Sequence, residues 1–230
     1  MKSRHTISAI VPVYNERAAV TPAIEAIDKY LSAQFQDYEI LIVESGSSDG
    51  TGEACDALAA RIPRVRVVHE GARNGFGSAI RAGLAMARME WIWPLVVDMP
   101  FPLESMNEAL PLMDRHGAIL SYRSQDGRSA YRRFQSAVFN RLGRLLLGVR
   151  VRHINSAFKV VRAEVMRSLN LQQRGWLIDA ELIAGLERGG VSYTEIPVAL
   201  IPRAVGVSTI GAAAVWRTIL DLLALARARR

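Results

Sequence analysis

Through the first hundred residues, short β-branched runs alternate with helix-patterned segments, and this alternation restricts the fold more than any other feature of the chain. Ile7 to Val13, Tyr38 to Val43 and Val65 to Val68 read as strands, and a fourth apolar run begins at Trp91 and carries through to Asp98, before Pro100 and Pro102 stop it. Helical patterns separate them. The first follows Thr21, with Pro22 in its opening turn and Ile24, Ile27 and Leu31 on one face; the second runs to about Arg61; the third opens at Asn74-Gly75-Phe76-Gly77 and extends through Met89. Strict alternation with short links predicts an α/β fold: a doubly wound, mostly parallel sheet flanked by helices. Right-handed crossovers then gather the loops Tyr14 to Glu16, Glu44 to Thr51, Glu70 to Gly77 and Asp98 to Pro102 along one sheet edge. That edge is where open α/β sheets bind ligands.

The second half is less regular. Ala118 to Tyr122 reads as a fifth strand, Ser124 to Arg133 as an arginine-rich loop, Phe134 to Leu147 as a helix, and Phe158 to Val161 as a short strand. A helix over Asp179 to Arg188 and a late strand, Ser192 to Val198 with Pro197 at a sheet edge, follow. Ala212 to about Ala226 carries Val215, Ile219, Leu222 and Leu223 on one side and ends in Arg227, Arg229 and Arg230. The expected organisation is one domain over residues 1–210 and an amphipathic, basic-ended helix over 211–230. With 230 residues, half of them hydrophobic, the chain can bury a core without disulfide or metal staples. Its single cysteine, Cys55, falls in a helical pattern with Leu58 and Ile62 and reads as a buried thiol in a reducing compartment. No apolar run reaches the roughly 18 residues of a membrane span, and the first strand begins too early to leave room for a signal peptide. A cytoplasmic protein is the expectation.

A net charge of +7, carried mostly by arginine, suits anionic partners: phosphorylated ligands, lipid headgroups or nucleic acid. The chain lacks the interleaved aromatics or recognisable module of a nucleic-acid binder, so no nucleic-acid partner is expected. Nor does the first strand lead into Gly-x-Gly-x-x-Gly, which argues against a nicotinamide or flavin dehydrogenase. In Ser45 to Thr51, small residues and two glycines let backbone approach a ligand, with Asp49 holding the loop by an Asx-type turn; an ordinary strand-to-helix turn accounts for the glycines equally. Glu44, at the strand end, can accept from a base edge or a ribose hydroxyl. Asn74 to Gly77 opens a helix whose N-terminus favours an anion. Arg123, Arg128, Arg132, Arg133 and Arg203 lie in or near loops, where guanidinium groups could clamp a diphosphate.

The order of these motifs resembles the family 2 glycosyltransferases of the GT-A fold. The resemblance rests on Val11-Pro12-Val13-Tyr14-Asn15-Glu16, Glu44 to Thr51, Asn74 to Gly77 with Ala79 and Gly83, and the apolar run ending in Asp98. Asn140-Arg141-Leu142, His153 to Lys159, Asp179-Ala180-Glu181-Leu182, Glu195 to Val198 and Arg203 to Ser208 are similar to the dolichol-phosphate mannosyltransferase-like branch. The resemblance covers Ile7 to Ser208.

It implies an inverting transferase that moves one sugar from a nucleotide-sugar donor to a polyprenyl phosphate, peripherally at the cytosolic membrane face. It also implies roles for residues. Pro12, Tyr14 and Glu16 would line the base and ribose pocket, with Glu44, Asp49 and Asn74 beside the nucleotide. Asp98 matches the first acid of the family's Asp-x-Asp motif, which holds the donor diphosphate through a divalent metal. Arg123 and Arg133 would approach the phosphates. Ser156, Phe158 and Lys159 match the segment beside sugar and acceptor, and Arg203 and Ser208 the late loop over the diphosphate. The departures bear on chemistry. Ser45 stands where a second consecutive aspartate is usual, and Pro100 replaces the second acid of Asp-x-Asp. A divalent cation, Mg2+ or Mn2+, would thus have one protein carboxylate where hard cations want several oxygen ligands. A lipid phosphate needs no strong base; a hydroxyl acceptor would, with Asp179 or Glu181 as candidates. A nucleotide-sugar-binding pseudoenzyme is the rival that Ser45 and Pro100 motivate. The C-terminal helix suits packing on its own domain, the commoner use of such a pattern, and its basic end also suits an anionic membrane surface.

Overall fold

The computed structural model describes residues 2–124, 130–201 and 222, with the side chains of 130–132 excepted. Seven strands form one sheet: β1 (Ser3–Val13), β2 (Phe35–Glu44), β3 (Val65–His69), β4 (Trp91–Pro94), β5 (Ala118–Arg123), β6 (Lys159–Arg162) and β7 (Tyr193–Val198). Their order is β3-β2-β1-β4-β6-β5-β7. All pairings are parallel except the two made by β6. The predicted mostly parallel sheet is therefore present, and one edge of it collects the C-terminal ends of six strands with the N-terminal end of β6.

The helices are α1 (Val20–Gln34), α2 (Thr51–Arg61), α3 (Phe76–Met86), α4 (Met106–Ala109), α5 (Ala130–Leu147), α6 (Ala163–Ser168) and α7 (Ile178–Arg188). Side-chain alternation along β1 and β2 makes two cores, one on each sheet face. Ile7, Ala9 and Val11 with Ile40 and Ile42 face α1 and α2. Ile10, Leu41 and Val43 face α3 and α7. Leu222 is helical and buried in the second cluster, consistent with packing on the domain; the rest of 211–230 lies outside the described residues. Cys55 is fully buried, and burial, followed by the charges of Glu44 and Asp56, pushes its thiol up to about 12, as a structural cysteine requires.

Gly83 shows how closely α3 rides on β1. A Cβ there would lie 2.4 Å from Cγ2 of the buried Ile10. Overpacking of that kind costs about 1–3 kcal/mol, against about 1 kcal/mol gained in helix propensity. Gly83→Ala is expected to lower the denaturant midpoint of unfolding; an unchanged or raised midpoint would contradict this packing.

Several boundaries differ from the sequence reading. The third helix stops at Met86, because Ala87 is already extended. The helix of the second half begins at Ala130, so the predicted arginine-rich loop is shorter than Ser124 to Arg133. Short elements at α4 and α6 carry too few residues for a periodic signal. The main correction concerns the apolar run to Asp98. Strand β4 ends at Pro94, beyond which Leu95 still donates to the Ile10 carbonyl and Met99 closes a turn on Val96. Pro94 has no N–H for the β6 side, where pairing covers only Trp91 and Ile92. Leu95 and Val97 are buried, so the apolar signal continues through a turn that is not a strand.

Candidate active site

The carboxyl edge brings the expected loops together, and the most extensively bonded part is the Glu44–Thr51 loop. Asp49 Oδ1 accepts from the Thr51 N–H at 3.0 Å, the predicted Asx turn, and Oδ2 accepts from the Arg17 N–H at 3.2 Å. The Thr51 hydroxyl foremost, with the Arg17 and Thr51 amides, holds the Asp49 carboxyl below its ordinary value. Glu16 N–H donates to Thr51 Oγ1 and Asn15 N–H to Ser47 Oγ, while Ser48 N–H donates to Asn15 Oδ1. Asn15 takes a positive φ of 53° to make these contacts. The loop after β1 and the loop after β2 are thus one bonded unit. Pro12 and Tyr14 lie half-buried beside it, and the Arg73 guanidinium covers the Tyr14 ring at 4.4 Å.

Glu44 lies beneath this loop. It is buried, its Oε1 accepts from the Ser47 N–H at 2.5 Å, and its Oε2 meets His69 Nδ1 at 3.2 Å. Burial alone would raise its carboxyl; the Ser47 amide and hydroxyl and His69 outweigh that and hold it low. Glu70, next along the chain, accepts from the Ser45 hydroxyl at 2.7 Å and from the Ser78 hydroxyl at 2.8 Å, tying the loop to α3. Sequence patterns alone single out neither His69, Glu70 nor Arg73. Their signal is position: His69 ends β3 and the other two follow it on the carboxyl edge of the sheet.

The glycines of both loops make way for protein backbone. A Cβ on Gly46 would lie 2.9 Å from the Ala72 Cα, and one on Gly77 would lie 2.3 Å from the Gln173 carbonyl oxygen. The segment 172–175 lies as a strap across the start of α3, where the Arg174 carbonyl accepts from the Ser78 N–H at 3.1 Å. The anion site expected at that helix start is therefore met in part by the strap. Asn74 stays exposed, lining with Ser78, Arg81 and Arg174 an open pocket of about 470 Å³. Phe76 stacks on the exposed Trp176 at 4.4 Å beside it.

Glu181 holds the strap. It is buried, and its Oε2 accepts from the backbone N–H groups of Gln172 and Gln173 at 2.9 and 2.7 Å, so it is neither a surface charge nor an open base. Asp179, two residues earlier in the first turn of α7, is buried against Lys159, with Nζ 2.8 Å from Oδ2. Burial pushes the Asp179 carboxyl up and the Lys159 charge opposes it. Two candidates separated in sequence thus form one buried ion pair at the N-terminal end of β6. Ser156 is also buried, its hydroxyl donating to the Phe158 carbonyl at 3.2 Å.

Asp98 is exposed on the turn after β4, followed by Met99 at φ 33° and Pro100, whose carbonyl accepts from the Ile201 N–H at 2.8 Å. A non-glycine residue at positive φ marks strain beside this carboxylate. Among the described residues, no group of three His, Cys, Asp or Glu side chains could hold a metal ion, so these residues do not build a cation site by themselves. Arg123, ending β5, donates to Ser136 Oγ at 3.3 Å and to the Asn155 carbonyl at 3.4 Å. Arg133 is exposed and lines, with Ser136, Asn140, Arg144, Arg152 and His153, a pocket of about 230 Å³. Arg128, Arg203 and Ser208 lie outside the described residues, as does the side chain of Arg132.

Comparison with known proteins fits this architecture. The polyprenol monophosphomannose synthase of Mycolicibacterium smegmatis is 31% identical over 213 residues, covering 86% of this chain and 78% of that protein. The glycosyltransferase AglD of Haloferax volcanii is 26% identical over 209 residues, covering 86% of this chain; the chain spans only 33% of AglD's length. In fold, the chain is similar to a crystal structure of glucosyl-3-phosphoglycerate synthase from Mycobacterium tuberculosis in complex with Mn2+, uridine diphosphate and phosphoglyceric acid. The TM-score is 0.67 at 18% identity, covering 96% of this chain and 78% of that one. That likeness bears out the GT-A-type fold expected from the motifs. No described helix is long and apolar enough to cross a membrane. Residues 8–169 match the model of glycosyl transferase family 2, and the chain belongs to that family of nucleotide-sugar-dependent glycosyltransferases.

Proposed function

We propose that the chain is an inverting glycosyltransferase that moves one sugar from a nucleotide-sugar to a polyprenyl phosphate at the cytosolic face of a membrane. The observation that carries this is the shared sheet edge. It sets the bonded Tyr14–Glu16 and Glu44–Thr51 loops, suited to a nucleoside, on the same side as Asp98, Arg123 and the Lys159–Asp179 pair. The relative named as a polyprenol monophosphomannose synthase points to the acceptor class.

In this reading a phosphate oxygen of the acceptor, already anionic at neutral pH, attacks the anomeric carbon. The bond from that carbon to the donor diphosphate breaks, and the nucleoside diphosphate leaves with the electron pair. The protein aligns the two partners and stabilises the departing charge. Arg123 and Arg133 supply positive charge to the phosphates, and Asp98 orients the sugar end of the donor. No general base is required, in keeping with a Glu181 committed to the strap and an Asp179 paired with Lys159.

Helix α5 supports a membrane-borne acceptor. Phe134 and Leu145 are 66% and 73% exposed, and their spacing of about three turns puts them on one face. Arg133, Arg141 and Arg144 are exposed on the same helix, which contains no acidic residue. Apolar side chains flanked by arginines suit an anionic bilayer surface. The test pairs UDP-glucose and GDP-mannose with polyprenyl phosphate in anionic vesicles, and with 3-phosphoglycerate as a soluble acceptor. Glycolipid from at least one pairing is expected; none from any pairing would overturn the reading, and transfer to 3-phosphoglycerate alone would replace it with a soluble acceptor.

A further inference from the structure

Between β2, β3 and α2 lies a three-residue arrangement that the transfer chemistry leaves unused. His69 ends β3 with each ring nitrogen against a carboxylate: Nδ1 is 3.2 Å from Glu44 Oε2 and Nε2 is 3.0 Å from Asp56 Oδ1. A neutral imidazole carries one N–H, so one of the two carboxylates would face a lone pair; the imidazolium alone donates to both. Glu44 in turn accepts from the Ser47 N–H, and Ser47 Oγ accepts from the Asn15 N–H. The protonation of one half-exposed ring is therefore linked, bond by bond, to the two loops placed around the nucleoside.

We propose that His69 is a positioning residue of the donor site, clamping Glu44 to Asp56 as an imidazolium and so fixing the 45–51 loop for the nucleotide-sugar. The proposal rests on the donor reading above and adds to it a pH-dependent donor affinity. The charged groups facing the ring are Asp56 from α2 and Glu44 from β2. Glu70, its neighbour in the chain, is turned to Ser45 and Ser78, and the thiol of Cys55 on α2 is held neutral by burial. Hydrogen bonding to Asp56 first, and to Glu44 next, raises the His69 proton affinity above that of an ordinary imidazole. The sign follows. The clamp is complete below that raised value and is lost as pH rises through it.

The test follows two readouts in the wild-type chain, His69→Gln and Asp56→Asn across pH 5.5–9. The first is the Kd for UDP-glucose and GDP-mannose; the second is the amide-exchange protection factor of Ser47, which needs no donor. Wild type is expected to lose about tenfold in donor affinity, and Ser47 its protection, as the imidazole deprotonates, the size of one charge-assisted hydrogen bond. His69→Gln should show the weak, flat behaviour throughout, and Asp56→Asn should shift the midpoint to lower pH. Flat Ser47 protection across the imidazole titration in wild type would overturn the proposal. A protection factor that titrates while neither donor binds would uphold the clamp and count instead against the donor reading.

Discussion

Lys159→Met is expected to destabilise the protein by about 3–5 kcal/mol at pH 8, the usual cost of leaving a buried charge without its partner. The ion pair lies at the N-terminal end of β6, with Lys159 and Asp179 both buried and 2.8 Å apart. Burial already raises the Asp179 carboxyl, and the lysine opposes that rise. Without the lysine the carboxyl would climb further. A raised carboxyl binds protons in the folded chain at pH values where the unfolded chain has released them, so stability falls as pH rises through that interval. The deficit of Lys159→Met should accordingly shrink on acidification, as Asp179 takes up a proton. The double variant Lys159→Met, Asp179→Leu should recover much of the loss at pH 8, since it removes both charges. Urea unfolding of the three proteins at pH 8 and pH 5.5 checks this. A single variant as stable as wild type, or a deficit that grows on acidification, would mean that the pair is not buried as described.

Asp98→Ala should lower kcat/KM by roughly 100- to 1,000-fold, the scale seen when one preorganised electrostatic group is lost from a reacting centre. The variant is expected to fold, because Asp98 is exposed and the turn that carries it is held by backbone bonds of Met99, Pro100 and Ile201. Asp98→Asn separates two uses of the carboxylate. An amide still bonds to a sugar hydroxyl but, being neutral, holds Mg2+ or Mn2+ less strongly than a carboxylate does. If Asp98→Asn stays active and wild-type transfer resists chelation, Asp98 holds the sugar. If both activities collapse, it completes a cation site whose remaining ligands come from the donor diphosphate and water. Full activity in Asp98→Ala would remove Asp98 from the site. The measurement is steady-state transfer with and without EDTA, with circular dichroism to confirm folding.

The fold was legible in the sequence because its signals are local. Ile7 to Val13 and Tyr38 to Val43 are β-branched runs, and Ile24, Ile27 and Leu31 recur at helical spacing, so these longer elements are readable without their tertiary partners. The Asx turn at Asp49 was legible for the same reason: donor and acceptor lie two residues apart. Where locality failed, so did the reading. The apolar run to Asp98 has strand-like composition, but pairing ended at Pro94, and burial of Leu95 and Val97 came from the core around them. The helix start at Asn74 to Gly77 reads as favouring an anion, and its two glycines make way for the 172–175 strap, a contact some hundred residues away that no local pattern reveals.

The sequence by itself determined the alternation of strand and helix, the ligand edge and the loops that crowd it, since periodicity and turn chemistry act over a few residues. Only the tertiary structure decided which side chains meet there. Lys159 finds Asp179, His69 joins Glu44 to Asp56, and Glu181 secures a strap against α3. Those contacts depend on how strands order themselves in the sheet and how helices settle on its faces. Packing of the whole core sets both, and no short stretch of sequence encodes either.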